Sequence, residues 1–267
     1  EKVFANFGVR GSIIKEPAQG KGHAVRRAFL EIDADVYVMV DADMTYSADD
    51  LAKLIAPVVD NKADMAVGDR HSLGLYKQEN KRRFHNLGNG LVQRLVNFTC
   101  GTNFVDVMSG YRAFSRVFVQ TYPLLVSGFQ LETDMSMFAA NFRLRVVEIP
   151  VHYQDRPAGS FSKLSTYLDG LKVVMTISSL FRYYKPLYFF GIISGFLALL
   201  GLLCGLPVIY EWLTTGYILH LPLAVLAVGI MIVSVIFLCI GLLLDSQAYA
   251  RRMDIERIIK NCTRCIY

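Results

Sequence analysis

The 267-residue chain has only five cysteines, and two of them, Cys204 and Cys239, fall inside long apolar stretches. That usage excludes a secreted domain stapled by disulfides. The closing Cys262-Thr263-Arg264-Cys265 is a C-x-x-C without a second pair, a weak metal or redox signal. A basic stripe with interleaved aromatics is missing too. The formal net charge is +5, and the Lys and Arg residues are scattered or sit beside the apolar stretches, so nucleic acid is not an expected partner. Charge itself vanishes from Leu187 to Tyr210 and from Leu221 to Leu244. At ~1.5 Å per residue, either run is long enough to cross the ~30 Å hydrocarbon core of a bilayer. A core helix of a soluble domain rarely stays apolar on every face for so long.

The flanks of these runs orient them. Phe181-Arg182-Tyr183-Tyr184-Lys185 precedes the first, a segment rich in Arg and Lys from Arg251 to Lys260 follows the second, and the connection Glu211–His220 has neither. The positive-inside rule then places both ends in the cytoplasm and the connection outside. Neither span reads as a signal peptide. Pro207 is expected to kink or end the first span. Gly191, Gly195 and Gly201 would suit close helix approach, within the hairpin or between copies in a homo-oligomer. The sequon at Asn97 falls on the cytoplasmic side and is expected to stay unmodified.

The first 186 residues alternate strand-like and helical segments. Val36–Val40, Ala63–Asp69, Arg112–Ser115 and Leu144–Tyr153 read as strands. After Ser47, a cap residue, Leu51, Leu54, Ile55 and Val58 mark an amphipathic helix, and a similar pattern ends at Gly101. The fold class expected is α/β, a sheet covered on at least one face, followed by two transmembrane helices. The chain starts without Met and enters what looks like a later unit of a wound sheet, so an N-terminal βα portion is expected to be missing. The boundaries expected are a cytosolic domain over 1–163, an interfacial helix over 164–186 with Leu168, Leu171, Val174 and Met175 on one face, a hairpin over 187–244 and a cytosolic tail over 245–267.

One short stretch carries the chemistry. Val36-Tyr37-Val38-Met39-Val40 runs into Asp41-Ala42-Asp43, and carboxylates two apart at a strand end share a face and open into the ligand crevice of an α/β sheet. Two close anions call for a cation between them, and a hard divalent ion, Mg²⁺ or Mn²⁺, bridging phosphate oxygens answers that. The same D-A-D-M-T also fits the D-x-D-x-T of haloacid-dehalogenase-type phosphatases, but the later acidic pair of that chemistry does not follow.

The surrounding motifs extend the reading. Gln19-Gly-Lys21-Gly22, Asp41-Ala-Asp43, Gly68-Asp69-Arg70, the cluster Lys81, Arg82, Arg83 and His85, Asp106-Val-Met-Ser-Gly-Tyr-Arg112, Leu131-Glu132-Thr-Asp134 and Arg156-Pro-Ala-Gly-Ser160-Phe-Ser162-Lys163 occur in that order. Together they resemble family 2 glycosyltransferases of the polyprenyl-phosphate type, relatives of dolichol-phosphate mannose synthase. The resemblance implies a GT-A, Rossmann-like domain and inverting transfer of one sugar from a nucleotide-diphosphate sugar to a polyprenyl phosphate, undecaprenyl or dolichyl, at the membrane. It implies a metal on Asp41 and Asp43, and donor contacts from Lys21, Gly22, Asp41, Arg70, Glu132 and Asp134. Acceptor-phosphate or diphosphate contacts fall to Lys81, Arg82, His85, Arg156, Ser160, Ser162 and Lys163, and the transfer centre to Asp106 and Arg112. Some relatives place a Gln where Thr45 stands, so water would complete the metal shell here. A processive polysaccharide synthase would need Q-x-x-R-W, yet the single tryptophan, Trp212, lies in the outer connection. An inactive membrane scaffold keeping the fold is the non-enzymatic alternative.

Overall fold

Five consecutive buried residues, Met65–Asp69, form the strand around which the sheet is organised. In this computed structural model the described residues are 11–72, 83–123, 131–154, 175 and 178–266, without the side chains of 83–89 and 263–266. In chain order the elements are α1 (Lys21–Glu31), β1 (Val36–Met39), α2 (Leu51–Val59), β2 (Met65–Asp69), α3 (Arg83–Cys100), β3 (Arg112–Ser115), α4 (Arg116–Thr121), α5 (Leu131–Asn141), β4 (Val146–Pro150), α6 (Pro186–Thr215) and α7 (Leu221–Ile266).

The four strands stand in the order β1-β3-β2-β4. β2 and β4 are parallel, Met65 opposite Val146, whereas β3 runs antiparallel to both neighbours, with Ala113 opposite Val38 on one side and Ala66 on the other. The sheet is therefore mixed. The reversal has a functional consequence: the C-terminal ends of β1, β2 and β4 and the N-terminal end of β3 meet at one edge.

Alternation along the strands fills both faces. Ala66 and Ala113 face a cluster with Leu54 and Val58 of α2, the apolar positions that the 3.6 period had marked. One residue along, Phe114 turns to the opposite face, where its ring stacks on Phe118 at 4.8 Å and Phe118 meets Phe138 of α5 at 5.8 Å. The sheet is thus covered on both faces. Ser47 does cap the turn at Ala48–Asp50 that leads into α2, its Oγ accepting from the Asp49 N–H at 3.2 Å.

The chain divides into two compact units, one of them Met175–Glu256. α6 lies in that unit and α7 begins in it, and both are long and apolar enough to cross a membrane. Their most apolar stretches are only 17% and 11% buried, whereas a core helix of a soluble domain would be mostly covered. Pro207 does not end the first helix, which runs on to Thr215. A transmembrane helix tolerates the one lost N–H. Nor does α7 stop at Leu244; it continues through the basic segment to Ile266. The two helices are clasped by Ser194 and Ser234, each hydroxyl donating to the other residue's carbonyl at 2.9 Å. Small residues admit the close approach: a Cβ on Gly201 would meet Met231 at 2.9 Å, and one on Gly241 would meet Phe190 at 3.0 Å. Gly191 and Gly195 have nothing within 4 Å of that position. Apart from Met175, the stripe read as an interfacial helix lies outside the described residues.

Candidate active site

Asp41 and Asp43 follow β1 at the edge where the strand ends converge. Met44 between Asp43 and Thr45 takes φ 61°, a left-handed conformation that turns the chain sharply. Thr45 is buried, and its hydroxyl donates to Asp43 Oδ1 at 2.6 Å, so this residue fixes the carboxylate's orientation. Gln154, just beyond β4, locks the turn from outside: its N–H donates to the Thr45 carbonyl at 3.0 Å and its side-chain amide to the Met44 carbonyl at 2.8 Å.

Asp41 meets a cation of the chain itself. Lys21 Nζ donates to Asp41 Oδ1 at 2.6 Å and to Glu132 Oε1 at 2.5 Å. Burial alone would lower the Lys21 pKa, but the charges and hydrogen bonds of Glu132 and Asp41 more than offset it, and the pKa lies above its usual value. On its other side Asp41 touches Gly110. A Cβ there would stand 2.3 Å from Asp41 Oδ2 and 3.2 Å from Lys21 Nζ, so any side chain at this position would push the Asp41 carboxylate aside. Gly22 is buried in the first turn of α1, beside Lys21.

Arg70 leaves β2 and forms a bidentate pair with Asp106, Nε to Oδ2 at 2.7 Å and Nη2 to Oδ1 at 2.9 Å. Burial pushes the Asp106 carboxyl up, yet the hydrogen bonds and charge of Arg70 prevail and hold it below the usual carboxylate range. The loop carrying Asp106 is pinned at several points. Glu148 of β4 accepts from the Asp106 N–H at 2.8 Å, and Asn97 of α3 exchanges hydrogen bonds with the Phe104 backbone, both 2.9 Å. The Arg70 guanidinium also lies 5.6 Å from the centroid of the Tyr153 ring. Tyr153 packs on Tyr46, whose hydroxyl accepts from the Gly110 N–H at 3.1 Å.

Two residues expected in the crevice are committed elsewhere. Arg112 is fully buried and donates to the carbonyls of Ser109 and Val107, both at 2.8 Å, and to Ser136 Oγ at 3.0 Å. It shares the face of Phe114, two residues on, so strand alternation sends it into the interior beside α5. Asp134 is buried and accepts from Tyr122 Oη at 2.6 Å. Glu132, two positions earlier on α5, points the other way, to Lys21. Lys81, Arg82, Arg156, Ser160, Ser162 and Lys163 lie outside the described residues, as does the side chain of His85. Tyr46, Gly110 and Gln154 were not singled out from the sequence. Tyr46 was signalled by its place three residues after Asp43, and Gly110 by its place in the Asp106–Arg112 motif.

Residues 2–122 match glycosyl transferase family 2. The glycosyltransferase AglJ of Haloferax volcanii is 31% identical over 92% of this chain and 80% of its own length. The chain belongs to glycosyltransferase family 2. Other similar relatives are a dolichyl-phosphate hexose transferase of the same organism, 28% identical over 66% of this chain and 73% of that protein, and the undecaprenyl-phosphate mannosyltransferase of Micrococcus luteus, 29% identical over 54% and 59%. Among solved structures, glucosyl-3-phosphoglycerate synthase from Mycobacterium tuberculosis with uridine diphosphate is similar at 18% identity and TM-score 0.46, covering 61% of this chain and 55% of that one. The chain thus spans about half the length of that structure. Family membership decides between the two enzyme classes: this is a glycosyltransferase whose described strands form a mixed α/β sheet, and the phosphatase alternative falls away.

Proposed function

We propose that this glycosyltransferase moves a single sugar, with inversion, from a nucleotide-diphosphate sugar to a polyprenyl phosphate at the cytoplasmic face of a membrane. The observation that carries the reading is the joining, in one chain, of a family 2 catalytic unit to a pair of helices that each hold a long charge-free stretch. A water-soluble acceptor needs no such pair, whereas a lipid phosphate confined to the interface needs an enzyme held there. The similarity to transferases named for dolichyl and undecaprenyl phosphates supports the same acceptor class. Arg182 and Lys185 before α6 and the basic residues Arg251 to Lys260, against a connection Glu211–His220 without Lys or Arg, support a cytoplasmic catalytic unit.

The donor set of Asp41 and Asp43 is all oxygen and anionic, and it sits at the crevice edge, a composition that fits Mg²⁺ or Mn²⁺ with water and diphosphate oxygens completing the shell. Such an ion would neutralise charge on the leaving diphosphate. The chain's own groups do the rest. Thr45 orients Asp43, Gly110 gives Asp41 its place, and Lys21 brings a cation to the crevice. A phosphate monoester has its second pKa at ~6 and arrives largely ionised, so the acceptor needs positioning more than a base. Asp106, held ionised by Arg70, suits a positioning role, and the Arg70 guanidinium lies over the Tyr153 ring.

The test is incubation of the purified full-length protein with membrane lipid extract, Mn²⁺ or Mg²⁺, and a panel of labelled nucleotide sugars. Label entering the organic phase with at least one donor is expected. Label found only in water-soluble product or polymer would overturn the acceptor class.

A further inference from the structure

We infer that Lys21 is a built-in competitor for the metal: its ammonium and a divalent cation exclude each other at Asp41, and Glu132 keeps Lys21 in the crevice as that competitor. The inference rests on the metal reading of Asp41 and Asp43.

Three observations carry it. Lys21 Nζ lies 2.6 Å from Asp41 Oδ1, the distance of a full charge-assisted hydrogen bond, so it already occupies one of the two oxygens that could ligate. The other oxygen, Oδ2, is packed against Gly110, where even a methyl group would stand 2.3 Å away. A divalent ion joining Asp41 while Lys21 stays would sit close beside the ammonium, and two close cations repel. Finally, Lys21 is also bonded to Glu132 at 2.5 Å, and Glu132 is buried, so the ammonium keeps a partner in the crevice and is not lost to solvent when Asp41 changes cation. The pair is partly exposed, with about a third of the Lys21 and Asp41 side chains reached by solvent, so exchange of one cation for the other is open to the medium.

The experiment measures Mn²⁺ binding to full-length, nucleotide-free protein by electron paramagnetic resonance. Wild type is compared with Lys21→Met, Lys21→Arg and, as a control for loss of one positive charge on the same helix, Arg27→Met, whose guanidinium pairs with Glu31 at the exposed surface. Lys21→Met is expected to tighten Mn²⁺ by about tenfold, the scale of removing a close charge from a partly solvated site. Arg27→Met is expected to change it less than about twofold because exposed charges are screened, and Lys21→Arg is expected to stay close to wild type. Circular dichroism checks that each variant is folded. Equal Mn²⁺ affinity in wild type and Lys21→Met, or equal tightening in Lys21→Met and Arg27→Met, would overturn the competition while leaving the metal site standing. Absence of saturable Mn²⁺ binding in both wild type and Lys21→Met would instead overturn the metal reading itself, and the competition with it.

Discussion

Arg70 and Asp106 grip each other through two parallel hydrogen bonds of 2.7 and 2.9 Å, which fixes what either can do. Asp106 stays ionised, with its pKa below the ordinary range because Arg70 outweighs the effect of burial. Its stabilising contribution is therefore complete above the unfolded value of ~3.9 and is lost as pH falls through the lower folded value. We predict that Asp106→Asn lowers kcat/KM by about 10- to 100-fold through misplaced Arg70, with the shape of the pH–rate profile above pH ~5 unchanged. A limb near neutrality that vanishes in Asp106→Asn would mark a general base instead.

Gly110→Ala tests the packing of Asp41. The added methyl would fall 2.3 Å from a carboxylate oxygen, so Asp41 must move. Activity is expected to drop at least about tenfold, since displacements near 1 Å at a reacting site cost that much or more. Mn²⁺ affinity should change with it, while the melting temperature of the protein shifts little.

Arg112 makes the opposite prediction. Its guanidinium is spent on Ser109, Val107 and Ser136 inside the domain, so Arg112→Met leaves buried acceptors unsatisfied. Loss of about 3 kcal/mol in chemical denaturation is expected, and residual folded protein should keep the KM of wild type for both substrates. A normal melting curve with abolished turnover would return Arg112 to the transfer centre.

Ser194→Val removes one half of the clasp between α6 and α7. Hydrogen bonds of this kind between membrane helices average ~0.6 kcal/mol, so the hairpin should weaken by about that amount in an unfolding titration in mixed micelles. Activity in intact membranes is expected to stay near wild type.

Much of this molecule could be read from short-range pattern. The four strands were marked by apolar runs, α2 by the spacing of Leu51, Leu54, Ile55 and Val58, and the membrane helices by loss of charge, because each signal lies within a few turns of chain. The place of Asp41 and Asp43 just after β1 was legible for the same reason. What the pattern could not supply was contact between distant segments. Lys21 meets Glu132 across more than a hundred residues, and nothing local in either motif announces it. Arg112 was expected at the transfer centre although its strand was read with the right bounds, because alternation with Phe114, which turns it inward, was not applied to it. Asp134 went the same way: two positions from Glu132 on a helix is the opposite face. The antiparallel course of β3 was equally hidden, since strand direction depends on pairing across the sheet.

The central claim is that the acceptor is a lipid phosphate. Its most direct measurement is mass spectrometry of the organic-phase product formed by purified protein from a synthetic polyprenyl phosphate, with the unphosphorylated polyprenol, Asp41→Asn and Asp43→Asn in parallel. The mass of one sugar, that of the donor used, added to the phosphorylated lipid alone and absent with either variant, is the result expected. Glycosylation of the free polyprenol, or product that persists in both aspartate variants, would contradict the account.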